Sequence, residues 1–286
     1  MMQVAFAERK YDDCAALVEK VVARDSMNLE ALLMRGKVKL SKGEGAKALP
    51  ELERLSTLYP GVPRVQYQLA LAYLANSDLT KAMNCLNQAK TLDPNYAEAT
   101  LLLAELNIRK GQSAAAITSL AQLVKQQPQL AQAHLLLASA YLMQKEADRA
   151  LGVYRQMSAL FPKNAEVPYL SATVLAQQNK RAEARKAFER TLELAPDYLP
   201  AVEQLVNLDL VDKQYAAALS RATEMTQKHP KAADPWLLVA KVHLAQKDTN
   251  QGEAALLKAI EVDPSQRNAY LLLAQVYVAG NKHQQA

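Results

Sequence analysis

The side chains able to do chemistry are few, and they do not converge. Four histidines occur, His134, His229, His243 and His283, with two cysteines, Cys14 and Cys85. A metal centre needs several His, Cys or carboxylate ligands at spacings that bring them to one ion, and no such spacing recurs. Neither G-x-S-x-G nor H-E-x-x-H is present, so the sequence offers no nucleophile elbow and no zinc-protease helix. Gly43-Glu44-Gly45 reads as a turn between helices, not as a phosphate cradle. The cysteines stand 71 residues apart and read as small packed hydrophobes. His134 and His243 read as surface or edge residues on helices, and His229 as a solvated helix end. No catalytic residue, metal or cofactor is expected, and binding is the function to look for.

Composition narrows the elements that could do the binding. Half of the 286 residues are apolar, glycine is scarce at 8, and aromatics make up 6%. Ala, Leu, Gln and Lys dominate, and these lose little rotamer freedom in a helix. Alternating β-branched runs are absent. No apolar stretch approaches the roughly 18 residues that a membrane span requires. Lys+Arg exceed Asp+Glu by 34 − 29 = 5, but the excess is spread along the chain with no basic block, so nucleic acid is not an expected partner. The start, Met1-Met2-Gln3-Val4-Ala5, lacks a basic and then apolar leader. That leaves a cytoplasmic and a periplasmic setting both open.

The decisive signal is a period. Prolines at 60, 94, 128, 162, 196, 230 and 264 fall 34 residues apart, each after an apolar stretch such as Leu92-Asp93 or Leu194-Ala195. Proline cannot continue a helix and drives its predecessor out of the α region, so each marks the end of a unit. With proline at slot 32, full repeats run 29–62, 63–96, 97–130, 131–164, 165–198, 199–232 and 233–266, with partial ones at 1–28 and 267–286. Short polar turns such as Asn76-Ser77-Asp78 and Asp212-Lys213-Gln214 split each repeat into two helices and force them antiparallel. Slot 20 is small throughout, from Ala48 through Ala218 to Gly252, and so is most of slot 8, from Gly36 to Ala274. Large residues occupy slots 7 and 24, among them Leu69, Leu137, Tyr154 and Phe188. Small against large at fixed offsets is interdigitating helix packing.

This pattern resembles the tetratricopeptide repeat family over essentially the whole chain. Trp236, Ala240, Gly252, Leu256, Ala259 and Pro264 carry it in one repeat; Leu137, Ala138, Tyr141, Ala150, Tyr154 and Pro162 carry it in another. The resemblance implies an all-α fold, a right-handed superhelical α-solenoid of antiparallel hairpins whose first helices line a concave groove. Slot 11, usually tyrosine in the family, keeps Tyr73, Tyr141 and Tyr277 but holds Lys39, Asn107, Leu175, Asp209 and His243 elsewhere. Asn107 and Asp209 are expected at a hairpin edge with access to solvent.

The resemblance also assigns a binding face, slots 2, 5, 9 and 12 of the first helices, whose offsets of three and four form one stripe. The candidate partner-binding residues are Leu33, Lys37, Arg64, Tyr67, Leu71, Leu101, Glu105, Arg109, Leu135, Ser139, Tyr169, Thr173, Glu203, Asn207, Leu237 and Lys241. The stripe is apolar along its middle with polar flanks, suited to a peptide or helix of a protein partner. Acids outnumber bases on it, which argues against a phosphate-tracking groove and places the excess positive charge on convex faces and turns. The slot-5 leucines could instead pack against the neighbouring repeat. Tyr67 and Tyr169 are the stronger contacts, since tyrosine joins apolar area to a polar handle. A protein-interaction scaffold is the leading reading. A structural or assembly module of a larger bacterial envelope protein, of the exopolysaccharide-export or protein-sorting kind, is the alternative.

The remaining prolines test the register. Pro63, Pro168, Pro200 and Pro235 fall in the first turn of a first helix, where a missing N–H costs little. Pro50 falls inside a second helix, where a late start or local kink is expected. Ala286 occupies slot 20, where a second helix should begin, and the chain opens partway into a first helix. A piece of a longer array is therefore expected, with uncapped ends prone to self-association.

Overall fold

The computed structural model describes residues 1–280; His283 and Ala286, singled out above, lie outside them. The described residues form helices and turns, without a strand. They divide within one helix, after Val153, into two packed units. The first holds α1 (Met2–Ala7), α2 (Tyr11–Arg24), α3 (Leu29–Ser41), α4 (Gly45–Leu58), α5 (Pro63–Ala75), α6 (Leu79–Leu92), α7 (Ala97–Arg109), α8 (Ser113–Gln126), α9 (Ala131–Met143) and the start of α10 (Ala147–Leu160). The second holds the rest of α10 and α11 (Glu166–Gln177), α12 (Arg181–Leu194), α13 (Leu199–Val211), α14 (Tyr215–Lys228), α15 (Asp234–Ala245), α16 (Thr249–Val262) and α17 (Arg267–Ala279). Odd-numbered helices are the first helices of the sequence register, and from α3 on they begin within one residue of slot 1. No described helix is long and apolar enough to cross a membrane.

The first helices from α1 to α15 end the same way. Residues 9, 43, 77, 111, 145, 179, 213 and 247, again 34 apart, all have φ between +57° and +76°. Only Gly43 and Gly111 are glycines; the others are Arg9, Ser77, Lys145, Asn179, Lys213 and Lys247. The left-handed residue lets two N–H groups fold back onto orphaned carbonyls, as where Gly43 N–H donates to Leu40 O at 3.0 Å and Glu44 N–H to Lys39 O at 2.9 Å. The same pair of bonds closes every turn, down to Lys247 on Leu244 and Asp248 on His243. Asp78 and Asp248 then cap the following helices, their carboxylates accepting from Lys81 N–H and Gln251 N–H.

The hairpins pack as the small-residue slots require. Ala48, Ala82, Ala116, Ala150, Ala184 and Ala218 at slot 20 are fully buried. A Cβ added to Gly252 would stand 2.6 Å from Leu244 Cδ2, and one on Gly36 2.9 Å from Leu52 Cδ2. Around these contacts the first unit builds one core on Leu52, Leu69, Leu86 and Leu103 and another on Cys14, Val18 and Val38. In the second unit Phe188 and Leu205 anchor one core and Val206, Met225 and Leu256 another. First helices also touch each other directly, α1 with α3, α3 with α5, α7 with α9 and α13 with α15, so their stripes lie side by side.

Three expectations are corrected. α4 runs from Gly45 to Leu58 as one α-helix with Pro50 inside it, neither late nor broken. Pro50 and Ala46, whose carbonyl loses its donor, are both on the exposed face, where water can replace the missing bond. Asp209 has no access to solvent: it is 0% exposed, with Arg185 paired to one oxygen and Arg221 Nε 3.0 Å from the other. Arg185 also reaches Asp212 at 2.9 Å. Asn107 is buried as well. His134 is 1% exposed, not at an edge, and its Nε2 lies 2.9 Å from the Pro128 carbonyl.

In three repeats slot 11 is thus a polar tie between neighbouring helices. Asp209 joins α12 to α14, Lys39 pairs with Glu51 on α4, and the Tyr73 hydroxyl donates to Glu53 at 2.7 Å. That bond to a carboxylate, with burial, pushes the Tyr73 phenol up to about 12 from a usual value of 10.0.

Three outcomes are expected. In urea unfolding, Gly43→Ala costs about 1 kcal/mol and Lys213→Gly stabilises by about 0.5 kcal/mol; a neutral Gly43→Ala would contradict the strain argument. Asp209→Ala removes the buried carboxylate that Arg185 and Arg221 share, leaving them Asp212 and Glu189, and costs about 2 kcal/mol, read as a lowered urea midpoint. The Tyr73 contribution is complete below pH ~10, the unfolded value, and lost as pH rises through about 12. Tyr73→Phe should therefore flatten the alkaline limb of a stability-against-pH curve.

Candidate functional site

In the first unit α1, α3, α5 and the start of α7 enclose a groove of ≈ 820 Å³. Slots 5 and 9 stand four residues apart and share one helix face, so Leu33 and Lys37 on α3 meet Tyr67 and Leu71 on α5. Leu33, Leu40 and Leu71 make the apolar floor, and Phe6 closes one side. Leu33 is buried at its base, packed into the core while still lining the groove. Tyr67 meets Tyr96 edge to face, ring centroids 5.4 Å apart. At the rim Arg64 makes two bonds to the Glu30 carboxylate, and the Lys37 ammonium sits 4.5 Å over the Phe6 ring. Burial and the nearby Glu98 carboxylate raise both phenols, Tyr96 to about 12.

The second unit has its own groove, ≈ 500 Å³, between α13, α15 and α17. Leu199, Leu237, Leu238, Leu271 and Leu272 line it. Lys241 Nζ donates to Glu203 at 2.9 Å across two repeats, and Asp234 at the rim accepts from Gln266 Nε2 at 2.8 Å.

The other sequence candidates lie outside these two cavities. Leu101 is buried, Arg109 is tied to Glu105 at 2.6 Å, and Leu135 and Ser139 are half-buried. Tyr169 packs between Tyr198 and Phe188, with ring centroids 5.1 and 5.8 Å away, Thr173 donates to Leu170 O at 2.8 Å, and Asn207 is half-buried on α13. The sequence reading missed Phe6, Tyr96 and Tyr198. The signal for the last two was available: repeats 63–96 and 165–198 alone carry tyrosine at both slot 5 and slot 34, and these are the tyrosines that pair.

Among the described residues no group of three His, Cys, Asp or Glu could hold a metal ion. His229 lies 3.9 Å from Asp197 and His243 3.7 Å from Asp248, single contacts at helix ends. Cys14 and Cys85 are buried free thiols, both raised by burial.

Comparison with known proteins places this architecture. No curated protein sequence matches the chain. Among solved structures, the C-terminal part of a TPR repeat-containing protein from Cytophaga hutchinsonii is similar with a TM-score of 0.61 at 13% identity, over 94% of this chain and 96% of that one. Yeast Tom70 gives 0.60 at 15% identity, over 96% of this chain and 60% of its own. YrrB, described as a TPR protein with an unusual peptide-binding site, gives 0.54 at 16% identity, over 65% of this chain and 96% of its own. At these identities the likeness is one of fold. Tetratricopeptide repeat family profiles match residues 2–63, 63–106, 101–165, 141–208 and 210–276. With the 34-residue register, its repeated turn and the packed small-residue slots already in view, the chain belongs to the tetratricopeptide repeat family.

Proposed function

We propose that this chain is a non-catalytic scaffold that holds a peptide or helical segment of a protein partner along its first-helix grooves. The observation that carries this reading is the groove of the first unit. Its ≈ 820 Å³ are bounded by side chains from successive first helices, apolar on the floor and polar at the rim. That volume lies in the range of ligand-binding clefts, and the arrangement suits a segment with one apolar face. Tyr67 stands between floor and rim and combines a fixed ring with a hydroxyl, the profile of an interface anchor. The peptide-binding site ascribed to YrrB agrees with a peptide as ligand here. A nucleic-acid partner is disfavoured because the groove arginines and lysines already face carboxylates or a ring, leaving few to neutralise phosphates.

The test uses a peptide selected for binding to the intact chain. Tyr67→Ala should weaken it about tenfold, while Gln88→Ala, on the exposed side of α6, leaves affinity unchanged. Tyr67→Leu, which keeps apolar volume, separates lost contact from lost packing, and circular dichroism reports helicity. Unchanged affinity in Tyr67→Ala, with helicity intact, would defeat the reading.

A further inference from the structure

The charges of the first-helix stripe can be followed one by one: in the first unit Glu30, Glu98 and Glu105 balance Lys37, Arg64 and Arg109, while in the second Glu166, Glu203 and Asp234 outnumber Lys241. Arg64 is committed to Glu30, Arg109 to Glu105 and Lys241 to Glu203. Lys37 lies over the Phe6 ring. On the acidic side Asp234 accepts a bond from Gln266. Glu98 and Glu166 have no ion-pair partner among the described residues, and both are exposed. Each stands beside one of the two tyrosine pairs. Glu98 raises the phenols of Tyr67 and Tyr96, and Glu166 raises that of Tyr198, in each case as the second cause after burial. Both carboxylates stand at slot 2, but Glu98 belongs to the repeat after the Tyr67–Tyr96 pair, whereas Glu166 belongs to the repeat that carries Tyr169 and Tyr198.

We infer that the groove of the first unit selects a basic segment, with an arginine or lysine side chain of the partner seated against the Tyr67–Tyr96 ring pair and the Glu98 carboxylate. The inference rests on the groove reading above and names the chemistry of its ligand. Tyr67, Tyr96 and Glu98 line one cavity with Arg64 and Lys37; Arg64 is held by Glu30 and Lys37 lies over the Phe6 ring, so the carboxylate left to a cation entering beside the tyrosine rings is Glu98. Ring and carboxylate both favour a cation there, the ring through its quadrupole and the carboxylate through a charge-assisted bond. The partner's apolar residues then lie on Leu33 and Leu71. Glu98 also sits in the first turn of α7, where a carboxylate favours the helix dipole. A purely structural role would therefore move helix stability and leave ligand preference alone.

A random peptide library displayed on phage and selected on the intact chain, on Glu98→Gln and on Glu98→Lys tests this. Wild-type binders should be enriched in Arg or Lys next to apolar residues, and Glu98→Lys should reverse the preference towards acids. A selected basic peptide should bind Glu98→Gln about fivefold more weakly, and its Arg→Gln version should bind both proteins equally. Binders without a basic preference, or equal affinity of the basic peptide for wild type and Glu98→Gln, would overturn the inference and leave the groove reading standing. A library yielding no binders to the intact chain would overturn both.

Discussion

Two helices of one hairpin can approach closely only if one of them lacks bulk at the crossing, and the rest of this architecture depends on that contact. Slot 20 meets it with alanine in six repeats and glycine in a seventh, where even a Cβ on Gly252 would collide with Leu244. Slot 8 meets it from the other helix, with Ala70, Ala104, Ala138, Ala172 and Ala240 fully buried. Once the backbones are this near, large side chains at slots 7 and 24 must interdigitate above and below the contact. Within each unit neighbouring first helices are thereby held side by side, close enough that Glu30 on α3 reaches Arg64 on α5. The groove is the outer face of that row.

Most of this was legible because the period is carried by residues with strong backbone consequences. Proline at slot 32 ends each second helix, and from it the helix starts follow to within one residue. The turn was harder to read. Its left-handed residue is glycine twice and lysine three times, because the paired N–H bonds fix the conformation whether or not the residue favours it. Glycine alone would have located only Gly43 and Gly111. What stayed hidden was three-dimensional in origin. Asp209 looked like a frayed slot-11 tyrosine, since its two arginines lie 24 and 12 residues away on other helices. Pro50 looked like a break because the sequence does not show that the carbonyl it orphans faces water.

The candidate site was legible in outline and not in its pairings. Slots 2, 5 and 9 gave Arg64, Tyr67, Lys37 and Leu71, which the fold brings to one cavity. The same rule named Leu101, which is buried, Leu135, which is half-buried, and Tyr169, which packs between Tyr198 and Phe188. A helical stripe specifies a face but not the depth of a side chain in it. Phe6 enters only because α1 lies against α3. Charge behaves alike: the net +5 of the chain says little about the groove of the first unit, where Arg64 and Lys37 are held by Glu30 and the Phe6 ring and Glu98 remains without an ion-pair partner among the described residues. Exposed turn lysines, among them Lys42, Lys110, Lys145, Lys180, Lys213 and Lys247, carry part of the excess elsewhere.

The central claim is that partners are held on the first helices. Amide hydrogen exchange of the intact chain, with and without a selected peptide, tests it most directly, because protection is read segment by segment. The account predicts slowed exchange at the ends of α3 and α5 around Leu33, Tyr67 and Leu71, with α4 and α6 unchanged. Protection confined to α4 and α6, with α3 and α5 unaffected, would contradict it.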